Sequence, residues 1–402
     1  MNPQLSIPAS ALVLAALACA AWTWLLLARG GFWRAAVRDD AAAPASSLPV
    51  AWPRVVAIIP ARDEADVIAT SVSSLLRQDY AGAFAIVVVD DHSSDGTATM
   101  AREASASDAA TSAPLQVRLH VLAAPDLPAG WTGKLWAMHC GATHVDTLPN
   151  PPDYLLFTDA DIQYAPDALT TLVARAQRDG LVLNSLMARL HCESFAERAL
   201  IPAFIFFFQL LYPFAWVNNL TRRTAAAAGG CMLAQRKALQ AAGGIAAVRG
   251  ELIDDCALGR QLKAQGPIRL SLTDRAHSLR ALRDIGDVRL MVSRSAYAQL
   301  HYSPWLLLGT VMALAATCIA PPLLAIGASG LAQWLAAAAW TLMAVAFQPT
   351  LRFYGVSRWW GLGLPAIAAV YLAFTLDSAW QHWRGRGGMW KGRAQAPATD
   401  RQ

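Results

Sequence analysis

Two stretches of this chain carry no charge over lengths that water-soluble folds rarely tolerate. Residues 1–28 contain no Asp, Glu, Lys or Arg, and neither do residues 303–351. The apolar run from Leu5 to Leu27 is long enough to cross a hydrocarbon core of roughly 30 Å as a helix. Arg29, Arg34 and Arg38 follow it directly. A signal peptide carries its positive charge ahead of a shorter apolar run, so residues 1–30 read as a retained anchor. Arginines after the helix and none before it place the following residues in the cytoplasm. Residues 303–351 hold two further helices with a turn near Gly327 to Gly330, and Trp359 to Leu376 makes a third. Four spans result, residues 303–382 forming the C-terminal group and 383–402 a basic tail. An outside N-terminus and four spans put the C-terminus outside, whereas the basic segment Arg384 to Arg393 favours the inside. These two expectations conflict. The spans' lack of ionisable residues argues against a transporter, whose path through the membrane needs some.

Composition agrees with membrane segments at both ends of a medium-sized globular domain. Of the 402 residues 55% are hydrophobic and 15% charged, against roughly 25% charged in soluble domains. The formal net charge is +5, but its basic residues lie in short groups such as Arg222-Arg223, so nucleic acid is not an expected partner. Six cysteines (Cys19, Cys140, Cys192, Cys231, Cys256, Cys318) are scattered, with no pair at the spacing of a zinc or redox site. They read as buried thiols in a reducing compartment.

Residues 31–53 include an Ala-, Ser- and Pro-rich stretch that reads as a linker. From residue 54 the pattern changes. Val55 to Ile59 and Ala85 to Val89 are β-branched runs suited to buried parallel strands, and Glu64 to Arg77 between them has amphipathic helical spacing. Two strands joined by a helix make a right-handed crossover unit. Tyr154 to Thr158 adds a strand before a helix near Pro166 to Arg178. Residues 54–302 are therefore expected to form an α/β domain with a mostly parallel sheet. Two segments break this pattern, Ile201 to Trp216 (IPAFIFFFQLLYPFAW) and Val288 to Tyr302. The first, short and proline-interrupted, belongs either at the membrane surface or in a protein-buried helix.

Ligands of open α/β sheets bind beyond the carboxyl ends of the strands, where Pro60 to Glu64 and Asp90 to Gly96 fall. Arg62 suits a phosphate, and Asp90 or Asp91 suits the hydroxyls of a ribose or the N–H groups of a base. Strand alternation turns only one of the two aspartates toward a ligand. Ser94, Asp95 and Gly96 read as a turn and helix cap. In FTDADIQY, Asp159 and Asp161 stand one residue apart at a strand end and can share magnesium or manganese with substrate phosphates. In GWTGKLWAMHCGA, Lys134 lies at a helix start, where a cation and free N–H groups meet a diphosphate; the alternative is a surface lysine. In GELIDDCALGRQLKAQG, Asp254 and Asp255 begin a helix. Capping accounts for one of them; two adjacent ones suit a base that takes the proton of an attacking hydroxyl. His92, His139 and His277 lack metal-binding spacing and read as polar contacts.

In this order the segments resemble family 2 glycosyltransferases, inverting enzymes of the nucleotide-sugar (GT-A) fold, over about Val55 to Ser303. The resemblance implies that Ala61, Arg62, Glu64, Asp90 and Asp91 hold the nucleotide, and that Lys134 and Asp159 contact the donor. Asp161 with Asp159 would hold the divalent cation, and Asp255 would be the base with Asp254 beside it. GKLWAMHCG is similar to the family's G-K-x-x-A-x-N-x-G element, with His139 where Asn is usual. WTGKLWAMHCG, IDDCALGRQL, AYAQLHYS and GRGGMWKGR together resemble the hopene-associated glycosyltransferases, a bacterial branch. That implies a multi-pass inner-membrane enzyme with a cytoplasmic catalytic domain. Its reaction would move one sugar from a nucleoside diphosphate donor, UDP-linked, to a lipid acceptor that is a hopanoid or related polyprenoid. No Q-x-x-R-W segment follows Asp255, so single transfer is preferred over processive polysaccharide synthesis. A non-catalytic membrane scaffold is the remaining alternative, and it has no use for the acidic cluster.

Overall fold

The computed structural model describes residues 9–39, 51–108, 118–385, 389–390 and 393–394. The middle of the expected linker and most of the basic tail lie outside them. The chain clusters into two compact units. One is built from Met1–Ala36, Cys192–Ala215 and Leu282–Gly387, the other from Val37–His191, Trp216–Ala281 and Gly388–Gln402.

The second unit holds an eight-stranded sheet. Its strands are β1 (Val55–Ala61), β2 (Phe84–Asp90), β3 (Arg118–Ala123), β4 (Tyr154–Phe157), β5 (Ile162–Tyr164), β6 (Leu183–Arg189), β7 (Met232–Gln235) and β8 (Ile268–Ser278). Their spatial order is β3-β2-β1-β4-β7-β6-β8-β5. β3, β2, β1 and β4 run parallel. β7 is antiparallel to β4 and β6, β8 is parallel to β6, and β5 is antiparallel to β8. The expected α/β class with a mostly parallel sheet is what forms.

Every residue of β1 is buried, which is why the run reads as continuously apolar rather than alternating. Val55, Ala57 and Ile59 join a core with Ile68, Val72 and Leu75 of the helix Ile68–Leu76 and Leu169 and Leu172 of the helix Ala168–Arg178. Ile58 points the other way. There the helix Gly133–Asp146 lies so close that a Cβ on Gly141 would stand 2.6 Å from Ile58 Cγ2 and 3.2 Å from Val89 Cγ2. The first helix starts later than the spacing Glu64 to Arg77 suggests. The Glu64 N–H is taken by Thr97 Oγ1 at 2.8 Å, so that residue belongs to a loop before the helix. Residues just after the expected anchor also belong to this unit. Val37 and Asp39 bond to Leu272 of β8 at 2.9 and 2.8 Å, and buried Asp39 pairs with Arg175 and Arg275.

Among its described residues the first unit contains four helices long and apolar enough to cross a membrane: Ala9–Ala28, Pro304–Gly327, Gly330–Tyr354 and Trp360–Trp383. Ile201 to Leu211 lies in a helix, Phe195–Leu211, that begins with a capping box between Ser194 and Glu197. One face of it packs against other helices of the same unit. Ala203 and Phe206 pack in one cluster with Met343, Phe347 and Tyr371, and the Tyr371 hydroxyl donates to the Leu200 carbonyl at 2.8 Å. In Pro304–Gly327 the helix widens to a π-turn over Ala315–Ile319, just before Pro321 and Pro322. Pro321 has no N–H to give the carbonyl four residues earlier, and Trp22 Nε1 supplies that bond to Thr317 at 2.8 Å.

Gly141 is the seat of the helix that begins beside Lys134. Gly141→Ala gains about 1 kcal/mol in helix propensity, but overpacking a closed helix–sheet contact costs about 1–3 kcal/mol. A net loss is expected, read as a lower thermal unfolding midpoint in detergent; an unchanged or higher midpoint would show that Ile58 moves aside without cost.

Candidate active site

The loops leaving β1 and β2 are stitched together by short polar side chains. Asp63 N–H donates to Ser93 Oγ at 3.0 Å, and Asp63 Oδ1 accepts the Ser94 N–H at 2.8 Å. Asp95 Oδ2 accepts the Ala65 N–H at 2.9 Å while its Oδ1 caps Thr97 at 3.0 Å. Ser94 and Asp95 thus do more than form a turn and cap. Asp63 and His92 both adopt positive φ, 50° and 55°, a conformation in which a short polar side chain such as that of Asp63 is offset by local hydrogen bonds.

These loops sort the expected nucleotide residues. Ala61 is buried, and its carbonyl accepts the Asp91 N–H at 2.8 Å. Asp91 is fully buried, held by Arg62, whose Nη1 donates to its carbonyl at 2.5 Å and lies 3.7 Å from its carboxylate. Asp90 is the half-buried one, and its Oδ1 accepts no hydrogen bond from the protein. An orphaned buried acceptor costs free energy until some donor satisfies it, and of the pair it is Asp90 that carries one. Arg62 is committed to Asp91 rather than directed at open space.

The T-D-A-D turn follows β4 and rests on a buried relay. Tyr164 Oη donates to Thr158 Oγ1 at 2.8 Å, and Thr158 donates to the Gly230 carbonyl at 3.0 Å. Asp159 and Asp161 then face different cations. Asp159 Oδ1 lies 2.8 Å from Lys134 Nζ, which is also 3.5 Å from Asp254 Oδ2. Asp161 Oδ2 accepts from Ser278 Oγ at 2.8 Å and lies 3.5 Å from Arg280 Nε; the Arg280 Nη2 binds Glu64.

Lys134 is not a surface lysine: only 18% of its side chain is exposed. Its helix is capped by Thr132 Oγ1, which accepts the Leu135 N–H at 3.3 Å. Burial alone would lower the ammonium's pKa, but Asp159, Asp254 and Asp255 outweigh it and hold the group well above the usual lysine range. Asp254 and Asp255 open the helix Asp254–Lys263, whose preceding residue, Ile253, makes no side-chain cap. Asp255 accepts the N–H groups of Cys256 at 2.7 Å and Gly229 at 3.0 Å. Burial and the neighbouring Asp254 push its carboxyl up to about 6, and Lys134 with those two N–H groups pulls it back.

Gly229 is the point around which the cluster closes. A Cβ there would lie 3.1 Å from Lys134 Nζ, 3.6 Å from Asp255 Oδ2 and 3.8 Å from Asp159 Oδ2. Gly229, Ser278 and Arg280 were not singled out by sequence reasoning. The pair Gly229-Gly230 after four alanines was a visible signal; nothing local marks Ser278 or Arg280. His139 forms a three-ring cluster with Trp131 and Trp136, its ring tilted against both at centroid distances of 4.8 and 5.5 Å. With Trp136 and Cys140 it lines a groove of about 570 Å³ beside β3, which none of the acidic residues lines.

Asp159 and Asp161 offer hard oxygen donors suited to a divalent cation. Among the described residues no group of three or more His, Cys, Asp or Glu side chains could enclose one. Two carboxylates with the remaining positions left to phosphates and water is how magnesium is commonly bound, so the residues fit a metal shared with substrate rather than a structural ion.

Residues 56–243 match the family model Glycosyl transferase family 2. This chain carries a family 2 glycosyltransferase domain. It is a glycosyltransferase that uses a nucleotide-sugar donor, on a GT-A-like fold. It is similar to the mannosyltransferase PcManGT from Pyrobaculum calidifontis, solved with GDP-Man and Mn2+, at 20% identity and a TM-score of 0.58, over 92% of this chain and 99% of that one. Glucosyl-3-phosphoglycerate synthase from Mycobacterium tuberculosis, solved with Mg2+ and uridine diphosphate, is 15% identical over 61% of this chain and 79% of its own, with a TM-score of 0.37. No curated protein is significantly similar in sequence. Asp254, Asp255, Ser278 and Arg280 of this glycosyltransferase lie beyond the matched segment, and the tertiary structure alone brings them to Asp159 and Asp161.

Lys134→Met would leave three neighbouring carboxylates without their shared cation, a loss of the order of 3 kcal/mol for an ion cluster largely cut off from water. The loss is present above about pH 6, where Asp255 is ionised, and shrinks as its carboxyl, pushed up to about 6, is protonated. Thermal unfolding midpoints should therefore drop at pH 8 and converge with wild type toward pH 5; a gap that does not change with pH would mean that lost packing, not charge, is responsible.

Proposed function

We propose that the enzyme inverts the anomeric centre of a nucleoside diphosphate sugar, UDP-linked, while transferring that single sugar to the hydroxyl of a lipid. The observation that carries this reading is the convergence of Lys134, Asp159, Asp254 and Asp255 around Gly229, at the carboxyl end of β4. Asp255 has the attributes of the base. Its carboxyl is pushed up to about 6, close to working pH, where a carboxylate accepts a proton most effectively. In the reaction the acceptor oxygen forms a bond to the anomeric carbon, the bond to the diphosphate oxygen breaks with its electron pair, and Asp255 takes the hydroxyl proton. Asp161 with Asp159 would hold the divalent cation, which when bound neutralises the departing diphosphate. Lys134 adds a fixed positive charge beside Asp159, and Asp90 offers its orphaned oxygen to the nucleoside.

Four helices of membrane-spanning length and composition support a lipid acceptor and a multi-pass protein. The hopene-associated resemblance supports a hopanoid or related polyprenoid, a bacterial inner membrane and a catalytic unit on the cytoplasmic side. Because the similar mannosyltransferase was solved with GDP-Man, a donor panel must contain GDP-mannose beside UDP sugars. Mass spectrometry of lipids glycosylated by the purified protein identifies donor and acceptor together; soluble or polymeric products alone would refute the lipid assignment.

Asp255→Asn should lower turnover by about two to four orders of magnitude, the usual worth of a positioned base, with donor affinity little changed. Wild-type turnover should rise as pH increases through about 6 and then level, because the protonated Asp255 cannot accept a proton. Retained activity in the variant, or a product keeping the donor's anomeric configuration, would exclude the mechanism. For the membrane assignment, Ala81→Cys places a thiol on an exposed loop of the sheet unit. A membrane-impermeant maleimide should reach it in inverted vesicles and not in intact cells; the opposite pattern would reverse the topology.

A further inference from the structure

The reaction above gives no part to Arg280. Among the described residues, Glu64, Asp159, Asp161, Asp254 and Asp255 lie around Lys134 and Arg280, and Asp66 also acts on Arg280. Lys134 serves Asp159 and Asp254. Arg280 serves Glu64 and Asp161, and its Nε lies 3.5 Å from the same Asp161 oxygen that accepts from Ser278 at 2.8 Å. The two cations differ in confinement. Lys134 is 18% exposed and enclosed by its partners, whereas the Arg280 side chain is 41% exposed at the site's rim. A guanidinium does not lose its proton in a protein, so Arg280 gives up Asp161 only by moving away. Its planar fork matches a diphosphate better than it matches two carboxylates from separate loops.

We propose that Arg280 couples metal binding to donor binding by exchanging Asp161 for the donor's diphosphate. This rests on the reading that Asp161 holds the divalent cation. Without ligands Arg280 neutralises Asp161 and competes with a metal for its Oδ2. A diphosphate offers the guanidinium a second anion, and its release from Asp161 opens that oxygen to the metal. Each ligand then strengthens the other by the same factor, as linkage requires. Glu64, whose side chain is 9% exposed, keeps the arginine tethered at the rim, and Ser278 keeps Asp161 oriented after the arginine has left.

The test measures metal binding rather than turnover. Full-length protein in detergent is titrated with Mn2+, free metal being followed by its electron paramagnetic resonance signal, alone and with UDP or GDP. Wild type should bind Mn2+ weakly alone and about tenfold or more tightly with the nucleotide, within the usual range of coupling between sites. Arg280→Gln should bind Mn2+ alone more tightly than wild type and gain little from nucleotide. Unchanged affinity and coupling in this variant would overturn the proposal. So would weaker Mn2+ binding with the coupling intact, the signature of an arginine that merely props Asp161. Arg280→Lys keeps the competing charge but lacks the fork, so its Mn2+ affinity alone should match wild type while coupling falls; wild-type coupling there also defeats the proposal, even if the glutamine variant does not fold. If wild type binds neither Mn2+ nor nucleotide in any combination, the metal-dependent reading beneath the proposal fails first.

Discussion

The ammonium of Lys134 is the interaction on which the site depends. It is 2.8 Å from Asp159 and 3.5 Å from Asp254, and so joins a helix start, a strand end and a second helix start that are far apart in sequence. Carboxylates gathered this closely would repel one another at neutral pH. Two partly buried cations make the arrangement tolerable without removing its excess negative charge, which is what a site for a metal and a phosphorylated donor requires. The remaining strain is visible at Asp255, whose carboxyl stays raised to about 6 despite the nearby lysine. A buried carboxylate that is only partly compensated costs stability and is at the same time a better base.

The fold delivers this cluster by close packing rather than by long side chains. Gly141 lets the helix that carries Lys134 settle onto β1, and Gly229 leaves space where any Cβ would press on the ammonium. The antiparallel strands β7 and β5 complete the cleft. β7 follows directly on Gly229-Gly230, and the short β5 returns along β8 so that Ser278 and Arg280 meet Asp161. A purely parallel sheet ending at β4 would present Asp159 and Asp161 without either group.

Much of this was legible in advance, for physical reasons that can be named. β1, β2 and β4 are buried on both faces, so their β-branched runs stand out against the loops on either side. The motifs at their carboxyl ends follow from a general property of α/β sheets. The Pro-interrupted segment from Ile201 was ambiguous because a 3.6-residue apolar pattern reads the same against lipid and against protein; the structure adds that part of that pattern packs on Phe347 and Tyr371. The helix starting at Ile68 was anticipated too early because the hydrogen bond that holds Glu64 in its loop comes from Thr97, thirty-three residues away. Ser94 and Asp95 carry an ordinary turn signature, and nothing local says that their side chains also bind the loop after β1.

By itself the sequence determined which residue types are available and where along each element they stand: the charge-free spans, the acidic strand end and helix start, and the lysine after Gly133. Periodicity and turn chemistry are local, so they survive reading one residue after another. Which carboxylate meets which cation was decided only by the tertiary structure. Arg62 turned to Asp91, Lys134 to Asp159 and Asp254, and Arg280 to Asp161, because charge pairing depends on distances of a few ångströms between segments whose separation the sheet order sets. Coulombic and hydrogen-bonding energies fall steeply over such distances, and no spacing along the chain encodes them.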